Sequence, residues 1–284
     1  MKSGLAVHLS VLLFVLTACS SAGASPPPSA PSVAPTTAAS AAAAPSAEPV
    51  ELTIYGAASL KGALEAAKAA YETANPGTTV TLSTGSSAAL ETQIEQGAPA
   101  DVFLSADTTN PKKLVDAGLA DGAAVTFAGN ELTVIVPTAN PAGIASPKDL
   151  ARAGVKVIAA GEEVPITKYA KQLVDNLAEE AGFPADFAAK YTASIASKEE
   201  DVKSVVAKIE IGEGDAGIVY VTDAKASTEV TTVDVPPSAN VPATYAGVVV
   251  KASKNAAAAK AFLDWFAGPD GQAILGSFGF LPSS

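Results

Sequence analysis

Residues 84–107 read TGSSAALETQIEQGAPADVFLSAD, and the interpretation of the whole chain starts from this stretch. The alternating run VTLS at residues 80–83 predicts a β-strand, and Leu90 and Ile94 follow at the spacing of one helix face. Glycine and serine form the junction between the two. Because a helix N-terminus carries unpaired N–H groups and partial positive charge, this junction predicts a site for an anion. An ordinary capped helix would produce the same local pattern.

A second junction of the same kind lies nearer the N-terminus. Residues 54–60, IYGAASL, predict a strand, a turn of small residues and the start of a helix, and the turn carries Ser59. Ser87 holds the comparable position in the first stretch. Ligands of alternating β/α sheets lie at the carboxyl ends of the strands. We therefore expect Ser59 and Ser87 to lie at one edge of the same sheet, although each could serve only as a helix cap.

Strands and helices alternate along most of the chain. This order predicts an α/β protein with mainly parallel sheets and helices on both faces. The predicted strands are 51–55, 79–83, 100–105, 132–136, 155–159 and 216–221, with a strand at 248–250 that returns to the first half of the fold. The predicted helices are 60–75, 88–96, 111–117, 166–181 and 256–268. A capping-box match at 197–200, SKEE, predicts one more helix start.

Several of these segments together resemble the periplasmic molybdate-binding proteins of molybdate ABC importers. The resemblance is carried by AASL, by SS followed by GAPADVF, and by GNELTVIVP, VPITKYA, GIVYVTDA and GPDGQAILGSFGF, in this order over about residues 51–281. It implies a two-lobed type II periplasmic-binding-protein fold with crossing hinge strands. The implied lobes are residues 50–131 plus 240–284, and residues 132–239.

The same resemblance implies the ligand and its contacts. The ligand would be molybdate or tungstate, with molybdenum bound as the oxyanion, no direct metal ligands among the side chains and no cofactor. The implied contacts are Ser59, Ser87, Ile166, Val202 and Tyr220. Ile166 and Val202 have no polar side-chain atom, so they would donate through backbone N–H groups at predicted helix starts. Tyr220 could instead be an ordinary core aromatic residue.

The N-terminal segment carries export signals. Residues 1–18 have a short basic start and an apolar run too short to span a membrane, which is typical of a secretory signal. The sequence LTAC that ends at Cys19 resembles a bacterial lipobox, which implies lipid attachment to Cys19 and an extracytoplasmic protein anchored to the cell membrane. Residues 19–49 consist mainly of Ala, Ser, Pro and Thr and predict an extended tether. An ordinary signal peptide with an incidental cysteine is the alternative.

Composition excludes several classes of function. The only histidine is His8, inside the predicted signal, so a mature chain lacks the side chain for Ser-His-Asp catalysis or histidine metal ligation. The net charge of −11 argues against nucleic acid as a partner. We expect a monomeric binding protein rather than an enzyme, with an ABC permease as its partner.

Three alternatives stay open from sequence. The ligand could be another tetrahedral oxyanion, sulfate or phosphate. A hydrolase with Ser59 and Lys61 as a nucleophile pair is disfavoured, because residues two apart at a helix start point apart. Asp101 and Asp107 could form an acid–base pair, but we expect them to bond loop N–H groups.

Overall fold

Two five-stranded sheets organise residues 49–283, the part of the chain that the computed structural model describes. The first sheet contains β1 (Val50–Ala57), β2 (Thr78–Gly85), β3 (Val102–Ser105), β4 (Val125–Asn130) and β10 (Ala243–Val249). The second contains β5 (Leu132–Pro137), β6 (Val157–Ala160), β7 (Ile195–Glu199), β8 (Ala216–Tyr220) and β9 (Val230–Val233). The predicted α/β class is confirmed.

The two sheets share one topology. Their strand orders are β2-β1-β3-β10-β4 and β7-β6-β8-β5-β9. In each sheet the first three strands are parallel, and the last two pairings are antiparallel. Since β4 is antiparallel to β10 and β9 is antiparallel to β5, four strands of each sheet run in one direction and a single strand, β10 or β5, runs against them. This agrees with the predicted mainly parallel sheets with crossing strands. The single strand is reversed because β5 and β10 each enter at the carboxyl edge of their sheet, where Leu132 pairs with Tyr220 and Ala246 with Ser105, and must run away from it.

Nine helices of the described chain cover the sheets. They are α1 (Lys61–Ala74), α2 (Ser87–Glu95), α3 (Thr109–Asp116), α4 (Pro165–Glu179), α5 (Phe187–Ser194), α6 (Val202–Glu210), α7 (Val221–Lys225), α8 (Ala256–Ala267) and α9 (Pro269–Ser277). Short 3₁₀ helices occupy Ala58–Leu60 and Pro147–Ala151. No helix within residues 49–283 is long and apolar enough to span a membrane.

The capping-box prediction at 197–200 is wrong. Residues 197–199 belong to β7, whose side chains are all exposed or half-buried because it lies at the sheet edge. The helix begins at Val202, and its N-cap is Asp201, whose Oδ1 accepts from the Ser204 N–H at 2.9 Å. An edge strand with no buried face shows no apolar alternation, so its polar residues matched the capping-box pattern of a helix start.

Two crossings connect the sheets. Only Glu131 separates β4 from β5, and residues 234–242 lead from β9 back to β10. The Asn240 amide ties the crossings together, because its Oδ1 accepts from Leu132 N at 3.1 Å and its Nδ2 donates to Leu132 O at 2.9 Å. The predicted return at 248–250 is wrong. Val248 and Val249 already lie in the first sheet, paired with β3, and their buried, apolar character reflects that position.

The limits of the predicted lobes stay a prediction, because the described residues form one compact unit. A continuous apolar core runs through both sheets. The predicted signal peptide, the lipid-attachment residue Cys19 and nearly all of the predicted tether fall within residues 1–48, outside the described residues.

Candidate anion-binding site

A small, narrow cavity lies between the two sheets. It is bounded by the junctions that follow β1, β2 and β8 and by the first turns of α2, α4 and α6. The structure brings all the sequence-predicted contact residues together in its wall: Ser59, Ser87, Ile166, Val202 and Tyr220. The wall includes one carboxylate residue, Asp201.

Ser59 lies in the 3₁₀ turn between β1 and α1 and is buried. Gly56 of β1 lets α1 pack closely, since a Cβ there would lie 2.2 Å from Leu64 Cδ1. The Ser59 hydroxyl oxygen lies 3.0 Å from the hydroxyl oxygen of Tyr245 in β10. Ser59 therefore faces the cavity while bonded to the first sheet.

Ser87 is the first residue of α2, and Ser86 holds the N-cap position. The Ser87 hydroxyl is almost completely buried and accepts a hydrogen bond from the Ala106 N–H at 3.1 Å. The hydrogen bonds of the described residues offer no acceptor for the Ser87 hydroxyl hydrogen. That hydrogen can therefore donate into the cavity.

Ile166 and Val202 contribute backbone groups at two helix starts. Ile166 follows Pro165, the first residue of α4, and Val202 opens α6. First-turn N–H groups have no partner within their own helix and carry the positive end of its dipole. The helix α6 reaches the cavity because Gly217 of β8 lets it pack closely, since a Cβ there would lie 2.9 Å from Val205 Cγ1.

Tyr220 ends β8 and is 1% exposed. Its hydroxyl has no hydrogen-bond partner among the described residues. Burial raises the pKa of Tyr220 well above 10.0, so the phenol stays protonated and can donate. A buried hydroxyl without a partner costs about 1–3 kcal/mol, which points to a ligand as its missing acceptor.

An ion pair with a buried carboxylate and a half-exposed lysine lies close to Tyr220 in the chain. Lys203 Nζ of α6 is 2.9 Å from Asp223 Oδ1 of α7, and the Asp223 side chain is fully buried. Burial raises the pKa of Asp223 above 3.8, and Lys203 opposes this. Within residues 49–283, His, Cys, Asp and Glu form no cluster of three or more that could hold a metal ion.

The comparison with protein families decides the classification. The model of the family described as bacterial extracellular solute-binding protein matches residues 52–281. The chain belongs to this family. It is 34% identical over 230 residues to the molybdate-binding protein ModA of Mycobacterium tuberculosis. The aligned region covers 81% of this chain and 84% of that protein.

Two further proteins are similar to the chain. The putative ABC transporter substrate-binding lipoprotein YvgL of Bacillus subtilis is 34% identical over 233 residues, covering 81% of this chain and 86% of that protein. The solved substrate-binding domain of a putative molybdenum ABC transporter from Clostridium difficile has a TM-score of 0.62 at 32% identity, covering 83% of this chain and all of that one. These comparisons confirm the resemblance to molybdate-binding proteins and the two-lobed fold predicted from sequence.

Sequence reasoning missed three residues beside the cavity of this solute-binding protein. Asp201 could have been found, since an acidic residue directly before the apolar stripe of α6 is an ordinary N-cap signal. Tyr245 and Asn130 gave no local signal, because their contact with the site exists only after β4 and β10 pair. Asp101 and Asp107 accept backbone N–H bonds from Thr53 and Asn110, as expected for structural carboxylates.

Proposed function

We propose that this chain is a lipid-anchored extracytoplasmic binding protein that captures molybdate, and also tungstate, and delivers it to an ABC importer. One observation carries the proposal. Three hydroxyl groups and the starts of two helices, each at a residue expected from the resemblance, line a single small cavity. The molybdate-binding name of the Mycobacterium tuberculosis relative supports the choice of anion.

The donor chemistry fits a fully ionised tetrahedral oxyanion. Such an anion has only acceptor atoms, and hydroxyl and N–H groups supply donors without a competing counter-charge. Each charge-assisted hydrogen bond contributes about 1.5–3 kcal/mol, so several together give tight binding without an arginine. Ser59, Ser87 and Tyr220 would act through side chains, and Ile166 and Val202 through their backbone N–H groups.

Hydrogen phosphate is the second candidate, and Asp201 is the observation that favours it. A protonated anion needs an acceptor in its site, and Asp201 is the carboxylate residue in the cavity wall. Its Oδ1 already accepts from Ser204 N, so part of the acceptor capacity of this carboxylate is used to cap α6. We therefore rank hydrogen phosphate below molybdate. Sulfate is also fully ionised and differs from molybdate in its smaller size, and we rank it below molybdate because the similar ModA protein is named for molybdate.

Thermal melting of the purified protein against molybdate, tungstate, sulfate and phosphate tests the proposal. Ligand that binds only the folded form adds RT ln(1 + [L]/Kd), about 4 kcal/mol at a thousandfold excess over Kd. We expect large shifts with molybdate and tungstate and small shifts with the other two. The matched control is the Ser59→Ala/Ser87→Ala double variant, which should respond weakly to all four. Equal shifts with phosphate would contradict the specificity, and no shift with any anion would contradict the function.

The cellular arrangement belongs to the same proposal. Residues 1–18 would direct export, Cys19 would carry the lipid, and residues 19–49 would tether the two lobes, 50–131 plus 240–284 and 132–239, near a permease. The lipoprotein name of the Bacillus subtilis relative supports the anchor. We propose that the protein acts as a monomer and without catalysis.

Fractionation of cells that express Cys19→Ser tests the anchor. We expect the variant to leave the membrane fraction or to remain unprocessed. A variant that stays processed and membrane-bound like the wild type would contradict lipid attachment at Cys19.

A further inference from the structure

A chain of buried hydrogen bonds lies directly behind Ser59. The Tyr245 hydroxyl is 3.0 Å from Ser59 Oγ and 3.4 Å from Asn130 Nδ2. The same Asn130 nitrogen donates to Thr222 Oγ1 at 2.9 Å. Asn130 ends β4 at the crossing between the sheets, and Thr222 follows two residues after Tyr220. The side chains of Ser59, Asn130, Thr222 and Tyr245 are all buried.

The orientation of the Asn130 amide sets the direction of this chain. Its Oδ1 accepts from the Glu131 N–H at 3.0 Å, so the opposite orientation would lose that bond. The nitrogen therefore faces Tyr245 and Thr222 and can only donate to them. The Tyr245 oxygen accepts from Asn130, and its own hydrogen needs a different partner.

Ser59 is the only acceptor that the hydrogen bonds of the described residues offer to the Tyr245 hydroxyl. Burial raises the pKa of Tyr245 well above 10.0, so this hydrogen is present at any physiological pH. With Tyr245 as its donor, Ser59 Oγ accepts on the side away from the cavity. Its own hydrogen is then available to the cavity. Ser87 has the same arrangement, with the Ala106 N–H as the donor behind it.

We propose that Tyr245, held by Asn130, is a positioning residue that keeps the Ser59 hydroxyl as a hydrogen-bond donor toward the bound anion. This inference rests on the proposed function and deepens it. A cavity whose serines are committed as donors selects a fully ionised oxyanion and disfavours one that must donate a proton. Tyr245 thereby contributes to anion selectivity without touching the anion.

A double-mutant cycle by titration calorimetry with molybdate tests the proposal. The variants are Tyr245→Phe, Ser59→Ala and their combination. We expect Tyr245→Phe to weaken binding about threefold to tenfold in the wild-type background, the loss of one ordinary hydrogen bond. In the Ser59→Ala background the same change should alter Kd less than about twofold, because the residue it acts through is absent.

Selectivity supplies a readout that a purely structural role would not move. In Tyr245→Phe the Ser59 oxygen is free to accept, so the ratio of phosphate affinity to molybdate affinity should rise. Asn130→Asp should act in the same direction, because a carboxylate accepts from Tyr245 and draws its hydrogen away from Ser59. Tyr191→Phe is the matched control, a buried tyrosine of α5 outside the cavity wall, and should leave Kd and selectivity unchanged.

The outcomes separate this proposal from the proposed function. An equal loss of affinity from Tyr245→Phe in both backgrounds, or no loss in the wild-type background, would overturn the positioning role alone. A wild-type protein that binds none of the oxyanions would overturn the function and this role with it. Should Tyr245→Phe fail to fold, Asn130→Asp takes its place in the same cycle with the same criteria.

Discussion

Tyr220 and Tyr245 come from different sheets, and their ring centroids lie 5.6 Å apart at an interplanar angle of 60°. Both side chains are fully buried, yet only the Tyr245 hydroxyl has hydrogen-bond partners in the described structure. Two tyrosines whose rings are in contact therefore differ in one respect: the Tyr245 hydroxyl is hydrogen-bonded within the protein, and the Tyr220 hydroxyl is not. This contrast separates a hydroxyl that serves the protein from one that is left for a ligand.

Tyr220→Phe should weaken molybdate binding about tenfold to a hundredfold, the loss of one charge-assisted hydrogen bond of about 1.5–3 kcal/mol. The ligand-free variant should be as stable as the wild type or more stable, since it no longer buries an unpartnered hydroxyl. Calorimetric titration and urea unfolding without ligand measure the two effects. A destabilised ligand-free variant with wild-type affinity would contradict the assignment of Tyr220.

Ser87→Ala should lower both affinity and stability. The affinity should fall by a similar factor, about tenfold to a hundredfold. The free energy of unfolding without ligand should fall by about 1–3 kcal/mol, because the buried Ala106 N–H loses its acceptor. The same two measurements apply, and the comparison with Tyr220→Phe is the internal control. Equal ligand-free stability of the two variants would show that the Ala106 bond contributes nothing.

Ligand binding should close the two lobes. Residues of both sheets line the cavity, so an anion held from both sides binds the closed arrangement better and shifts the population toward it. Small-angle scattering should show a smaller radius of gyration when the wild type is saturated with molybdate. The Ser59→Ala/Ser87→Ala variant should show no change at the same concentration. An unchanged wild-type radius would count against closure.

Asp223 should make stability depend on pH. Burial raises its folded-state pKa above 3.8, so the folded protein binds this proton more tightly than the unfolded chain. Its contribution to stability is complete below 3.8 and is lost as pH rises through the raised pKa. Asparagine does not titrate, so Asp223→Asn lacks this pH dependence. As pH rises from acidic to neutral, the unfolding free energy of the wild type should therefore fall relative to that of Asp223→Asn.

Urea unfolding of the wild type and Asp223→Asn across this range measures the trend. Lys203→Met should steepen the pH dependence of the protein that retains Asp223, because the cation 2.9 Å from the carboxylate is removed. A difference between wild type and Asp223→Asn that stays constant with pH would mean that burial does not shift the carboxyl group.

Some features of this protein follow from local sequence alone. Alternation, helical spacing, glycine and serine at fixed offsets and the order of segments predicted the α/β class and the junctions that carry Ser59 and Ser87. They work because capping, turn conformation and one-sided burial depend on residues a few positions apart. The edge strand β7 was not predicted, because its half-exposed polar residues show no such pattern.

Other features were decided only by tertiary structure. The direction of β5 and β10, the position of the return crossing and the contact between Ser59 and Tyr245 depend on partners far along the chain, 186 positions apart in the last case. Strand pairing places these residues together through backbone hydrogen bonds, which every residue except proline can make, so no local pattern encodes the partner. The sequence therefore determined which residues could face an anion. The pairing of β10 with β3 and β4 decided which residue stands behind Ser59 and orients its hydroxyl.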